Sequence, residues 1–412
     1  MRAALSSRLP LLALVGSCAA LAACGKSGLP AHSEGGSAEA VPAVSAQGAV
    51  GVATKNTTRL GGTDPASDAA AVARTAYPGL TTASRPRAVV LVDEHDWPAA
   101  LAASSLASAP LGAPILYSDG DSLPDATVEA LHAIRPVGAA TLGGAQVIRI
   151  GTTASVPEGL RTRSTPSTTE PAAAAADVAH LLSLAHGGDP HQVIVLASSS
   201  APALQMPAAG LAAESGSPIL YVTAAHIPPP TVAALMGLHQ PAIYLMNPQA
   251  VNSHVLAALA HYGHVTPIAD IAAAATDSPV ENANAVARFT DGTFGWGVKE
   301  PGHGLVFANT SRPLDAPASA LLSAIGDYGP LLLLESPNGV SPALASYLGD
   351  IQPAYSSAPQ FQPVHGAYNH GWLIGDDSAI SALTQAEIDS LLEITPRRVS
   401  PSEEEPVASP TE

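Results

Sequence analysis

Ala113-Pro114-Ile115-Leu116-Tyr117 is the stretch that decides the fold, because its pattern returns as Ser217-Pro218-Ile219-Leu220-Tyr221 and, more loosely, as Gly329-Pro330-Leu331-Leu332-Leu333. Pro114, Pro218 and Pro330 lie 104 and 112 residues apart. A period near one hundred residues implies domain-sized repeats and not a solenoid of small units. Some 20–25 residues before each proline stands a short apolar run: Val89-Val90-Leu91-Val92, Val193-Ile194-Val195-Leu196 and Leu305-Val306-Phe307. Short runs bounded by polar residues suit parallel strands buried on both faces. Between run and proline lies an Ala/Leu-rich helix (99–107, 202–213, 315–324), and beyond the proline strand a second helix (124–134, 228–238, 341–348). A third strand is expected at Ala139–Leu142, Ala242–Leu245 and Gly371–Ile374. Strand, helix, strand, helix, strand with short links is an α/β pattern, giving parallel sheets with helices on both faces. Proline at a strand start is tolerated because no ladder N–H is needed there.

Composition narrows the function. The chain has 412 residues, 47% of them apolar and only 12% charged, with a formal charge of −17. Ala, Pro, Ser, Thr and Gly take over the surface role that charged residues usually fill. A field of this sign repels nucleic acid, so no nucleic-acid partner is expected. The two cysteines, Cys18 and Cys24, both precede residue 25, which leaves the body without a disulfide, thiolate chemistry or a Cys-based zinc site.

The first 24 residues read as an export signal. Arg2 and Arg8 precede a mostly apolar stretch that ends Leu21-Ala22-Ala23-Cys24. This tetrad resembles the bacterial lipobox, in which the cysteine becomes the acylated N-terminus. Acyl chains contribute about 0.8 kcal/mol per buried CH₂, enough for stable anchoring when several share one residue. The expected organisation is a signal peptide over 1–23, a flexible Gly/Ser/Ala/Pro tether over 24–57, repeats over 58–160, 161–268 and 269–395, and a disordered acidic tail over 396–412.

The repeats resemble the cell-wall-binding repeat type 2 family. Arg59-Leu60-Gly61-Gly62-Thr63-Asp64 followed by Ala69-Ala70-Ala71-Val72-Ala73 is similar to the opening of such a unit. Val89–Val92 with Trp97-Pro98-Ala99-Ala100-Leu101 matches its first strand and helix start, Ala113–Tyr117 its second strand, and Leu142-Gly143-Gly144-Ala145 its closing strand end. The likeness is best over 57–151, partial over 165–265 and weakest over 270–394, where Gly375-Asp376-Asp377 holds the closing position. The family's helix-start Asp survives only as Asp315, and Met246-Asn247 replaces a Gly-Gly in the second copy. The resemblance implies three Rossmann-like, flavodoxin-like units packed with pseudo-threefold symmetry in one chain. It also implies an exported protein that holds an anionic polymer or glycan of the cell wall.

Candidate binding residues are few. Asp93-Glu94-His95-Asp96 follows a strand, where α/β sheets place ligand loops, and could contact a sugar or a divalent cation. The plain alternative is a solvated loop with a helix cap at Asp96. Arg59, Arg149, Arg161 and Arg163 concentrate near the opening of the first copy and its junction with the second, and could pair with phosphate or carboxylate. Asp64, Arg312 and Asp315 complete the candidate set. No catalytic residue, cofactor or metal is expected: Gly-x-Ser-x-Gly, His-Glu-x-x-His, P-loop and Gly-x-Gly-x-x-Gly patterns are all missing from the sequence. The expected function is a non-catalytic envelope lipoprotein, lipid-anchored at Cys24, facing outward and binding wall polymer. The rivals are a solute-binding lipoprotein, which needs two lobes, and a wall-acting hydrolase, which needs convergent acids in one pocket.

Overall fold

The computed structural model describes residues 52–166, 170–198, 200–268, 278–326, 328–355 and 368–396. The expected leader with Cys24, most of the tether, and the tail from 397 lie outside the described residues. All described residues fall within one compact unit spanning 46–412.

In chain order, strand β1 (Thr57–Leu60) and helix α1 (Pro65–Ala76) precede β2 (Val89–Asp93), α2 (Trp97–Ala103), β3 (Ile115–Ser118), α3 (Asp125–Ile134) and β4 (Val147–Ile150). The same series returns as β5 (Thr162–Ser164), α4 (Pro171–His186), β6 (Gln192–Ala197), α5 (Pro202–Gln205), α6 (Pro207–Ser215), β7 (Ile219–Val222), α7 (Pro229–Gly237) and β8 (Ala242–Leu245), followed by a short α8 (Ser253–Leu259). It returns once more as β9 (His264–Pro267), α9 (Pro279–Arg288), β10 (Gly304–Asn309), α10 (Asp315–Ser319), β11 (Tyr328–Leu334), α11 (Pro342–Asp350), β12 (Ala354–Tyr355) and β13 (His370–Ile374). Helix α12 (Ala382–Leu391) and β14 (Thr395–Pro396), which pairs with β12, complete the described chain.

Three parallel four-stranded sheets result, in the orders β3-β2-β4-β5, β7-β6-β8-β9 and β11-β10-β13-β1. The α/β expectation holds, with one topological addition. Each sheet takes its edge strand from the segment that leads into the next unit, and the third sheet takes it from the start of the chain. Thr57–Leu60 therefore pairs with Gly371–Ile374 and not with the first unit's own strands. Residues 52–56, in the last part of the expected tether, pack onto this strand and the region after α12: the Arg59 amide donates to the Val52 carbonyl at 2.9 Å, and Lys55 meets Glu393 at 2.6 Å.

One expected strand is displaced. Ala140–Leu142 is a 3₁₀ turn, followed by Gly143 and Gly144, both at positive φ, and the strand is Val147–Ile150. The β-branched Val147 and Ile148 pair with Val89 and Val90 and are fully buried, so the branched pair captures the ladder that the Ala/Thr run was expected to take. The expected first helices are also shorter, giving way to 3₁₀ turns at Ser104–Ala107 and Ala320–Ser323 and breaking at Pro207.

These three equivalent segments, the two 3₁₀ turns and α6, touch one another at the centre of the molecule. Small side chains permit the approach: a Cβ on Gly210 would fall 2.7 Å from Ser323 Oγ. The units are also tied in sequence around the ring. The Tyr117 hydroxyl donates to the Leu314 carbonyl at 2.7 Å, and the Tyr221 hydroxyl donates to the Pro98 carbonyl at 3.0 Å. Both receiving carbonyls sit at the helix start of a neighbouring unit, and the third equivalent position carries Leu333. Among the described residues no helix is long and apolar enough to cross a membrane.

Candidate functional site

In each sheet the unit's first strand is central, with its second and third strands on either side, so the chain reverses direction of progress between them. Flavodoxin-like sheets bind ligands at the carboxyl ends of the strands flanking such a switch point. The three switch points lie between β2 and β4, β6 and β8, and β10 and β13. Each carries different chemistry.

At the first, Asp93 ends β2 and accepts from the His95 amide at 3.0 Å, while His95 Nδ1 lies 2.9 Å away. Burial would raise the Asp93 carboxyl, but the bonds from His95 and the Gly120 amide outweigh it and hold the group below the usual range. The same Asp93 bond raises His95. Burial raises Glu94, helped by the charge of Asp119. On the other side of β2, Asp119 from the loop after β3 joins Glu94 and His95, with ligand atoms of the three within 4.8 Å of one another, a spacing that could hold a cation. Asp96 caps α2 by accepting from the Ala99 amide at 3.1 Å, the structural role that its position beside a helix start allows.

At the second switch point the hydrogen-bonding side chains among the described residues are amides. Asn247 and Asn282 both donate to the Leu204 carbonyl, at 3.0 and 2.9 Å, and Gln205 donates to the Ser200 carbonyl at 2.6 Å.

The third is built from two units. Asp68, on the first turn of α1, is fully buried and accepts from the Gly62 amide at 2.6 Å. Gly61 makes that approach possible: it has φ +119°, and a Cβ there would fall 2.1 Å from the Asp68 carboxylate. Arg312, from the loop after β10, bonds to Asp68 and lies 3.2 Å from Asp315, which is also fully buried, and 3.7 Å from Asp376. Burial raises Asp68 to about 6 although Arg312 pulls it down. Burial likewise raises Asp315, and the charge of Asp68 adds to it against Arg312. Beside them Arg59 donates to Gln385 at 3.1 Å and to the Gly375 carbonyl at 3.2 Å, and faces Asp377 at 3.5 Å. Burial lowers Arg59, while Asp377 and Asp376 oppose the shift. Asp64 caps α1 by accepting from the Ser67 amide at 2.9 Å.

The sequence candidates thus separate into three places. Arg59, Asp64, Arg312 and Asp315 gather at the third sheet, and Asp93 and Asp96 at the first. Arg149 and Arg163 stand on the adjacent strands β4 and β5, where Arg149 donates to Ser164 Oγ at 2.9 Å, and Arg161 immediately precedes β5. Arg59 does not join the other three arginines, because its strand belongs to the third sheet. Sequence reasoning missed Asp68, which reads as an ordinary acidic residue in a first helical turn. The signal was the Gly61-Gly62 pair just upstream, which brings backbone against its carboxylate. Asp119 was missed because it comes from a different strand end.

The fold and these strand-end sites place the molecule among proteins built from tandem parallel α/β units. Residues 59–161 match the family model described as Cell wall binding domain 2 (CWB2). That segment supplies β1 to the third sheet and β2–β4 to the first, so the sequence unit is offset from the sheet by one strand. Two solved structures share the architecture. Cwp6 from Clostridium difficile aligns with TM-score 0.60 and 18% identity over 82% of this chain and 48% of that one. Cwp8 from Clostridium difficile aligns with TM-score 0.59 and 16% identity over 82% and 52%. This chain spans about half the length of each, and identities this low establish likeness of fold alone. No curated protein sequence matches the chain.

Proposed function

We propose that this is a non-catalytic, outward-facing cell-envelope protein. Its three-unit body binds an anionic polymer or glycan of the cell wall, and lipid on Cys24 ties it to the membrane. The observation that carries the reading is the match of residues 59–161 to the CWB2 family, within a body that repeats the same unit three times. Three comparable sheets in one body favour it over a receptor, which would present two lobes around a cleft. The candidate contacts are Arg149, Arg161 and Arg163 along the β4–β5 edge, Asp93 and Asp96 at the first switch point, and Arg59, Asp64, Arg312 and Asp315 at the third. Wall and membrane contacts on one chain would add by avidity, with the tether setting the effective concentration.

The test is co-sedimentation of the chain from residue 25 onward with purified wall, before and after its anionic polymer is stripped. Binding lost on stripping supports the polymer, binding retained assigns the glycan, and no binding to either refutes the reading. Palmitate labelling of the full chain, lost in Cys24→Ala, tests the anchor.

A further inference from the structure

We propose that Asp68, Asp315 and Arg312 form a proton-locked clasp on the joint that closes the ring. Two buried carboxyl groups share one guanidinium and one proton there, and loss of the proton loosens β1 and α1 from the third sheet. The proposal does not depend on what the protein binds.

Asp68 belongs to α1, which follows the chain's first strand, while Arg312 and Asp315 belong to the loop and helix after β10. The three thus form a buried charged contact across the junction between the first helix and the third unit. Both carboxyl groups are fully buried, and the Arg312 side chain is 16% exposed. Arg312 can neutralise one carboxylate but not two. Neither Asp315 oxygen receives a hydrogen bond from a protein donor. Asp68 and Asp315 both reach Arg312, and two buried carboxylates against one guanidinium leave a negative charge unbalanced unless one of them keeps a proton.

The surroundings do not supply the missing charge. Arg59, on β1, is already engaged with Gly375, Gln385 and Asp377. The other charged groups facing the cluster are acids, Asp64 at the α1 cap and Asp376 after β13, while Glu94 beyond β2 acts on the neighbouring Tyr117. Tyr117 on β3 presents a neutral hydroxyl, donated to the Leu314 carbonyl. Acids outnumber the two arginines, so retaining one proton is the low-energy state. The upward shifts of Asp68 and Asp315, caused first by burial, agree with this.

The direction of the pH effect follows from proton counting. The closed joint keeps a proton that an opened joint, with ordinary aspartates, releases above about pH 4. Opening is therefore disfavoured at low pH and becomes easier by up to about tenfold per pH unit, until the closed-state proton is itself lost near and above 6. This is opposite to acid denaturation driven by ordinary paired carboxylates.

Hydrogen exchange on the full chain tests the clasp, comparing segments 57–64 and 371–377 with the β6 segment at pH 5 and pH 7, after correction for intrinsic exchange. We expect protection of the joint to fall by about tenfold or more from pH 5 to 7 while β6 changes little. Asp315→Asn cannot ionise and leaves a one-to-one Asp68–Arg312 pair, so it should flatten the fall. Asp68→Asn gives the same readout should the first variant fail to fold. Equal joint protection at both pH values in the wild type, or an undiminished fall in a folded variant, would overturn the proposal.

Discussion

At the scale of single residues, the third switch point depends on how closely backbone approaches a buried charge. Gly61 holds φ +119° against the Asp68 carboxylate. Gly61→Ala should destabilise the protein by about 1–3 kcal/mol through backbone strain and displacement of that carboxylate, read as a lower urea midpoint. Asp93 and His95 offer a second pH handle. Their bond raises the imidazole and lowers the carboxyl, so the imidazolium–carboxylate pair is favoured between the two. Asp93→Asn should bring the His95 titration, followed by NMR, back down toward its ordinary value. An unchanged titration would remove Asp93 as the cause. Arg312 and Asp315 were legible as polar residues beside a strand end. Asp68 was not, because its burial follows from a strand joining a sheet some 300 residues away in sequence, a pairing that local pattern does not encode.

At the scale of elements, local chemistry was a sound guide where residues were unambiguous. The central strands β2, β6 and β10 are continuous apolar runs that only a doubly covered parallel sheet can bury, and they appear where the pattern puts them. Ala139–Leu142 misled because Ala and Thr in a short run carry little strand preference, and Val147–Ile150 offered a better-packing alternative eight residues on. The links between units were also hidden, since a tyrosine at a strand end reads as core. Tyr117→Phe and Tyr221→Phe each remove the donor from a carbonyl at a neighbouring helix start. Each should lower stability by about 1–2 kcal/mol. Because the two bonds lie at different junctions without a shared partner, the double variant should show nearly the sum in chemical denaturation.

At the scale of the whole molecule, triplication explains the unusual composition. A body whose three equivalent helical segments meet at its centre needs small residues there, and Ala-rich, Gly-containing helices supply them at the expense of charge. The chain's strong negative charge makes contact with an anionic polymer depend on local cations. If the β4–β5 edge makes that contact, Arg149→Ala with Arg163→Ala should weaken co-sedimentation with intact wall severalfold, and added salt should weaken the wild type likewise. Undiminished binding by this variant would move the contact to another face. A fragment starting after residue 60 should lose the third sheet's edge strand, which is why β1 belongs in any binding fragment.

The closed ring is the claim on which the rest stands, and it can be measured directly because the two natural cysteines both lie before residue 25. Thr58 and Trp372 are paired neighbours on β1 and β13, at the spacing a disulfide can span in adjacent strands. Mild oxidation of the chain from residue 25 onward carrying Thr58→Cys and Trp372→Cys should link the two positions in nearly every molecule, as read by peptide mass. The same chain with Thr58→Cys and Arg149→Cys should remain unlinked. Linkage to position 149 and not to 372 would place the first strand in the first sheet and contradict the ring.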